Sequence, residues 1–478
     1  MRPTFSVKML LVALLLLFVV ALVVQLATQW HTLQGLAYHT FGKLDTAQRK
    51  FAQAVERDPD NLYALLYLGQ TYLQLDEFDA AVARLRRVTE LVPSHHQAFS
   101  LLAASHAAAG NYPAAAKAAR QAQQLSPGRE DYTLALGRIY LASGQFAAAR
   151  DTFLAVYESD TANRDLFLGL IAASRALHDD EAALTYLQSA ARRFAADGTI
   201  ALELARALRG KGRSDDSLSA YERATLLAPD DFFAAYEYGI ILAQRGESPA
   251  AFAAFSHAAA LDPAYPHLPG AFYSLVFAFK DAGQTAAAVR ALDAAISLQP
   301  EAREYHYQRG MLLRTLRDGP GAIHAFRQAV ALGADSAELH YALASELIAA
   351  GQDDKAETHL DRTLVLAPVH PYAHADRARL LARRGELQAA AAAFREDLNV
   401  TPDDFYSHYD LGLLLAKSGQ FELARHHLET ALAIDTDYPY TCTALREVYA
   451  ALGRGSEDLP VHCDSTSQPS QERLINNP

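Results

Sequence analysis

Prolines stand at Pro59, Pro93 and Pro127, at Pro229 and Pro263, and at Pro368 and Pro402, and within each group the step is constant at 34. The gap from Pro127 to Pro229 is three such steps, with Thr161 and Ala195 at the intervening positions. Pro300 falls three places beyond the next step after Pro263, and Ala334 and Thr436 complete the series, so the register slips once, by three. Twelve places before each position the chain reads Ala47, Ala81, Ala115, Ala149, Ala183, Ser217, Ala251, Ala288, Ala322, Ala356, Ala390 and Ala424. This repeat constrains the fold more than length does, since 478 residues would otherwise suggest about three globular domains.

Each unit reads as a helix A, a turn and a helix B. Helix A is expected to end at a glycine suited to the left-handed cap, for example Gly144 or Gly419. Helix B then runs as in GQFAAARDTF from Gly144 and stops before the proline, which cannot continue it. Asp60, Ser94, Asp230 and Asp403 follow four of the prolines and are the expected caps of the next helix A. The small residue on helix B predicts close helix approach, where a larger side chain would overpack by about 1 to 3 kcal/mol.

A helical hairpin of this period with Tyr63, Gly69, Tyr72, Ala81 and Pro93, and again Gly137, Tyr140, Ala149 and Phe153, resembles the tetratricopeptide repeat. The resemblance implies an all-α, right-handed superhelical solenoid of about twelve helix-turn-helix repeats. They cover residues 28–438, with Pro266, His267 and Leu268 as the insertion. Residues 439–453 read as a capping helix over the last exposed face. Residues 454–478, rich in Ser, Gln, Pro and Asn, read as a disordered tail. Pro266, Pro269 and Gly270 predict a longer connection between the seventh and eighth repeats, with a local change of geometry there.

The amino terminus is of another kind. Residues 9–27 are apolar apart from Gln25, and nineteen helical residues span roughly 28 Å, close to a bilayer's hydrocarbon core. They read as an N-terminal transmembrane helix preceded by a cytoplasmic n-region, residues 1–8. A cleaved signal peptide is the competing reading, for which Gln25-Leu26-Ala27 is a poor cleavage site. Arg2 and Lys8 precede the run, while residues 28–42 contain no Lys or Arg, so the amino terminus is expected in the cytoplasm and the repeats outside. Trp30 suits the membrane interface. The anchor and the use of 35 Arg against 8 Lys point to a bacterial inner membrane, single-pass, with periplasmic repeats.

Beyond Ala27 the chain sets 41 bases against 55 acids, net −14, which disfavours nucleic acid as a partner. The chain has no phosphate loop, dinucleotide fingerprint, zincin motif or serine elbow. No catalytic residue, cofactor or metal site is therefore expected, and the chain reads as a non-enzyme. Cys442 and Cys463 can make neither a disulfide framework nor a four-cysteine zinc site, and their pairing is left open. His306, His340, His374 and His408 recur once per repeat at one register position. Packed helices about 8 to 10 Å apart favour a packing role for them over a shared metal.

In the tetratricopeptide family helix A lines the inner groove. Transferring that register places Arg138, Arg175, Arg206 and Arg209 in the groove of repeats four to six, and Tyr236, Tyr273, Tyr307, Tyr341 and Tyr409 along one stripe farther on. Such a surface suits an extended peptide, an anionic segment or a glycan; tyrosine is also ordinary there, and the arginines can neutralise neighbouring acids. The family's carboxylate-clamp pattern is missing, with Leu66 and Gln70 at two of its positions in the second repeat. The expected function is a membrane-tethered scaffold for protein or peptide partners, acidic ones at the arginines, in an envelope complex. The alternatives are an accessory subunit for polysaccharide or pilus export and, from another class, a glycosyltransferase-related enzyme, disfavoured because the stretch after Tyr438 is too short to hold a catalytic domain.

Overall fold

The computed structural model describes residues 7–157 and 162–463, without the side chains of 7–11, 21–22, 24–28 and 456. Arg2, Lys8, Thr161 and the tail beyond Cys463 thus lie outside the described side chains. Among the described residues the chain is all α: A and B helices alternate through twelve pairs, followed by a final helix Pro439–Ala451 and two 3-10 turns, Ser456–Asp458 and Val461–Cys463. It divides into two compact units, Met1–Ala234 and Ala235–Pro478.

In the first unit the core forms where helix B presses its small residue and one large apolar side chain into the adjoining A helices. Ala47, Phe51, Ala81, Leu85, Ala149 and Phe153 are fully buried. Phe153 explains why two A helices carry glycine: a Cβ on Gly137 or on Gly169 would come within 2.5 Å of its ring. The second unit repeats the arrangement with Ala322 and Phe326, and with Ala424 and Leu428, all at 0% exposure. Burying a side chain of that size contributes about 1.5 to 3 kcal/mol, so the alanine and the bulky residue four positions later fix the A–B pair together.

Gly144 and Gly419 both take φ of +74° at the A–B turn. The same left-handed position is occupied without glycine by Asp76, His178 and Arg317, at φ of 59°, 58° and 60°. Helix A is capped one residue later than the sequence suggested. Asn61 accepts from the Ala64 amide, Asp231 from Ala234 and Asp404 from Ser407. The residue after each proline lies in the turn, which frees Asp60 for another use: it receives Arg87, with Nη2 2.7 Å away.

Three observations concern the ends and the slip. The first A helix does not begin at Thr28; one helix runs unbroken over Val7–Thr40. Among the described residues no helix is long and apolar enough to cross a membrane, and residues 9–11, 21–22 and 24–27 of the expected span lie outside the described side chains. The insertion does not break a helix. The connection 262–267 is two residues longer than 58–61, and the following helix, Leu268–Asp281, has 14 residues where its neighbours commonly have 13. Pro269 sits in its first turn, where a missing amide leaves no acceptor unpaired. At the carboxyl end, the segment from Arg454 is not irregular throughout. A disulfide joins Cys463 to Cys442, Cys463 is buried against the last helices, and its carbonyl accepts from Arg446 at 2.8 Å.

Candidate functional site

The four candidate arginines all lie in the first unit, on A helices, and each has found a partner there. Arg138 closes on Asp165. Arg175 and Arg206 meet through Glu203, whose two carboxylate oxygens lie 2.6 Å from one and 2.8 Å from the other. Burial would raise the Glu203 pKa, but the two guanidinium groups outweigh it and hold the carboxyl below its ordinary range. Arg209 lies over the Tyr221 ring, 5.7 Å from its centroid. Arg138, Arg175 and Arg209 remain exposed to solvent and Arg206 is half-buried. Exposed pairs of this kind contribute only about 0 to 1 kcal/mol each, so a carboxylate on a partner competes on nearly equal terms with Asp165.

The five tyrosines belong to the second unit and are all half-buried. Their rings pack against other rings. Tyr236 meets Tyr265, with centroids 5.0 Å apart; Tyr341 meets His370 at 4.5 Å; Tyr409 meets Tyr438 at 5.3 Å. In each case the second ring lies at the same offset along the chain, in the turn after the following helix B. Tyr273 contacts Tyr305 at 4.8 Å and Tyr307 contacts Phe326 at 6.1 Å. Burial raises all five hydroxyl pKa values, those of Tyr341 and Tyr409 to about 12. These phenols therefore act as neutral donors: the Tyr341 hydroxyl donates a hydrogen bond to Asp376 at 3.0 Å.

Asp376 leads to a residue the sequence reading passed over. Arg379 bonds both Asp376, at 3.0 Å, and Asp410, at 2.8 Å, completing a polar chain from Tyr341 through the A helices Ala373–Arg383 and Phe405–Lys417. Arg379 occupies the register position of Arg138 and Arg206 once the slip of three is counted. That count was the signal that could have found it.

The histidine ladder ties helix A to the turn before it. Nε2 of His306, His374 and His408 donates to the carbonyls of Pro300, Pro368 and Pro402, each at 2.9 Å. His340 instead bonds Asp335 at 3.0 Å. Nδ1 of His408 lies 3.0 Å from Nδ1 of His427, a hydrogen bond in which one ring donates and the other accepts. His340 and His359 repeat that pair at 2.9 Å. Among the described residues no group of three His, Cys, Asp or Glu side chains is placed to hold a metal ion.

Family profiles described as tetratricopeptide repeat match residues 39–104, 106–173, 202–266, 275–337, 341–399 and 405–438. None of the curated proteins matches the sequence. Among solved structures the chain is similar to YrrB, described as a TPR protein with an unusual peptide-binding site, at 21% identity over 40% of this chain and 96% of that one, with a TM-score of 0.36. It is also similar to the APC/C hetero-tetramer Cut9–Hcn1, at 13% identity, 88% and 96% coverage and a TM-score of 0.32. For yeast Tom70 the values are 15%, 90%, 96% and 0.30. With repeat profiles matching most of the residues from 39 to 438, the chain belongs to the tetratricopeptide-repeat family, whose all-α solenoids are suited to protein–protein interaction.

Proposed function

We propose that this repeat protein is a scaffold tethered to a bacterial inner membrane by its first helix, with the repeats in the periplasm, and that it holds protein or peptide partners of an envelope complex. It acts by binding and not by catalysis. The observation that carries the tether is the outer surface of the helix Val7–Thr40. Leu14, Leu15, Leu16, Leu17 and Phe18 are all more than half exposed, at 57 to 66%, and water penalises such a surface by about 25 cal/mol per Å². Trp30, 60% exposed, suits the headgroup level. The Cys442–Cys463 disulfide supports an oxidising compartment for the repeats.

Partners are proposed to lie along the A helices, with acidic segments at Arg138 and Arg175 and stacking contacts on the half-buried tyrosines. Two experiments test this reading separately. A reporter fused after Pro478 should be active only outside the cytoplasm; cytoplasmic activity, or a mature amino terminus near Thr28, overturns the tether. Replacement of Arg138, Arg175, Arg206 and Arg209 by glutamine should weaken capture of an acidic partner and flatten its salt dependence. Unchanged capture by a folded variant overturns the arginine assignment.

A further inference from the structure

Arg87 and Arg362 occupy one register position, six places before the proline that ends their repeat, and each closes on an aspartate at the same offset earlier in the chain, Asp60 and Asp335. Arg223 holds the same position before Pro229, but at that offset stands Ala196. The arginine has kept its place without its acid. Its Nη2 donates instead to the Ala195 carbonyl at 2.6 Å, and Ala195 is itself where most repeats have proline.

Beside Arg223 the first unit contains a cavity of about 320 Å³ between the helices Asp180–Arg193, Gly198–Gly210 and Ser214–Leu227. Phe194, Ala201, Leu204 and Leu208 give it an apolar lining. The volume falls at the low end of small-ligand sites, roughly 300 to 1,000 Å³, which pair apolar walls with a few placed polar groups. Four charged groups line it: Asp197, Arg213, Asp216 and Arg223. Asp197 is held by Arg164 and Asp216 by Arg213. Arg223 is left as the cation with no carboxylate partner among the described residues.

We propose that this cavity binds an aliphatic carboxylate, its hydrocarbon part seated on Phe194, Ala201, Leu204 and Leu208 and its carboxylate on the Arg223 guanidinium. The site takes Ala201, Leu204 and Leu208 from the A helix Gly198–Gly210, but its cation is on the B helix Ser214–Leu227 and is not one of the arginines assigned to partners above, so substitution of Arg223 tests it independently. A free short-chain acid and the carboxyl-terminal residue of a peptide offer the same chemistry.

The test is calorimetry on the full chain with hexanoate and with acetyl-leucyl-leucine, each against its amide. Either carboxylate should bind saturably at millimolar concentration and about threefold to fivefold more tightly than its amide, the effect of one exposed charge pair. The acid that binds identifies the source, and both binding is also a supporting result. Arg223→Gln should abolish the preference for carboxylate over amide. Ala196→Asp, which restores the arginine–aspartate pair seen in two other repeats, should do the same by occupying the guanidinium. Both positions are exposed, and circular dichroism checks that the variants fold. No saturable binding by either acid at about 10 mM, equal binding of acids and amides, or a preference that survives both substitutions overturns the proposal.

Discussion

Gly137 lies against the ring of Phe153: a Cβ on that glycine would stand 2.5 Å from Cε1, and Gly169 meets the same ring from the next A helix. One side chain of helix B thus fixes the approach of two A helices, and it does so through an absence of side chain on each. Gly137→Ala should destabilise the first unit by about 1 to 3 kcal/mol through overpacking. On a Phe153→Ala background the same substitution should cost little, because the ring it strikes is gone. Urea denaturation of the four variants measures the coupling; an equal loss with and without the ring would mean that the clash with Phe153 is not what the glycine avoids, since helix propensity alone favours alanine.

Arg317 adopts a left-handed backbone, φ 60°, with its side chain exposed. A non-glycine residue there costs about 1 to 2 kcal/mol, offset in part by the roughly 0.5 to 1 kcal/mol of chain entropy that glycine would lose. Arg317→Gly should therefore raise stability by about 0.5 to 1 kcal/mol. Thermal melting checks the sign.

His427 is held down to about 4, first by burial and then by the charges of His408, His426 and Arg395. Its folded value lies below the ordinary 6.5, so the unfolded chain takes up the proton first. The stability it contributes is complete above pH 6.5 and is lost as the pH falls toward 4. For a half-exposed group screened by solvent, that loss is about 1 to 2 kcal/mol. His427→Gln keeps a hydrogen-bonding group for Nδ1 of His408 and removes the titration. The stability gap between pH 7 and pH 4.5, measured by denaturant titration, should narrow by that amount, about 1 to 2 kcal/mol.

The disulfide closes a loop with a sequence separation of 21, for which the chain-entropy argument gives about 3 kcal/mol as an upper value. Cys463→Ser should release residues 454–463 from the last helix while leaving the helices of the first unit unaffected. Hydrogen exchange is the direct measurement: faster exchange confined to the carboxyl end is the expected result.

The amino-acid sequence by itself determined the repeat, the alternation of A and B helices and the glycine turns at Gly144 and Gly419, because these follow from local spacing and from conformations only certain residues adopt freely. The tertiary structure alone decided the rest. Asp76, His178 and Arg317 take the left-handed turn because packed helices on either side impose it against their own preference. The caps moved from Asp60, Asp230 and Asp403 to Asn61, Asp231 and Asp404 because the residue after each proline is consumed by the turn. Which ring Tyr341 meets, which oxygen of Glu203 serves Arg175 and which Arg206, and what Arg223 does without an aspartate depend on rotamers and helix placement. Those are set by contacts between units of the repeat, which spacing along the chain does not specify.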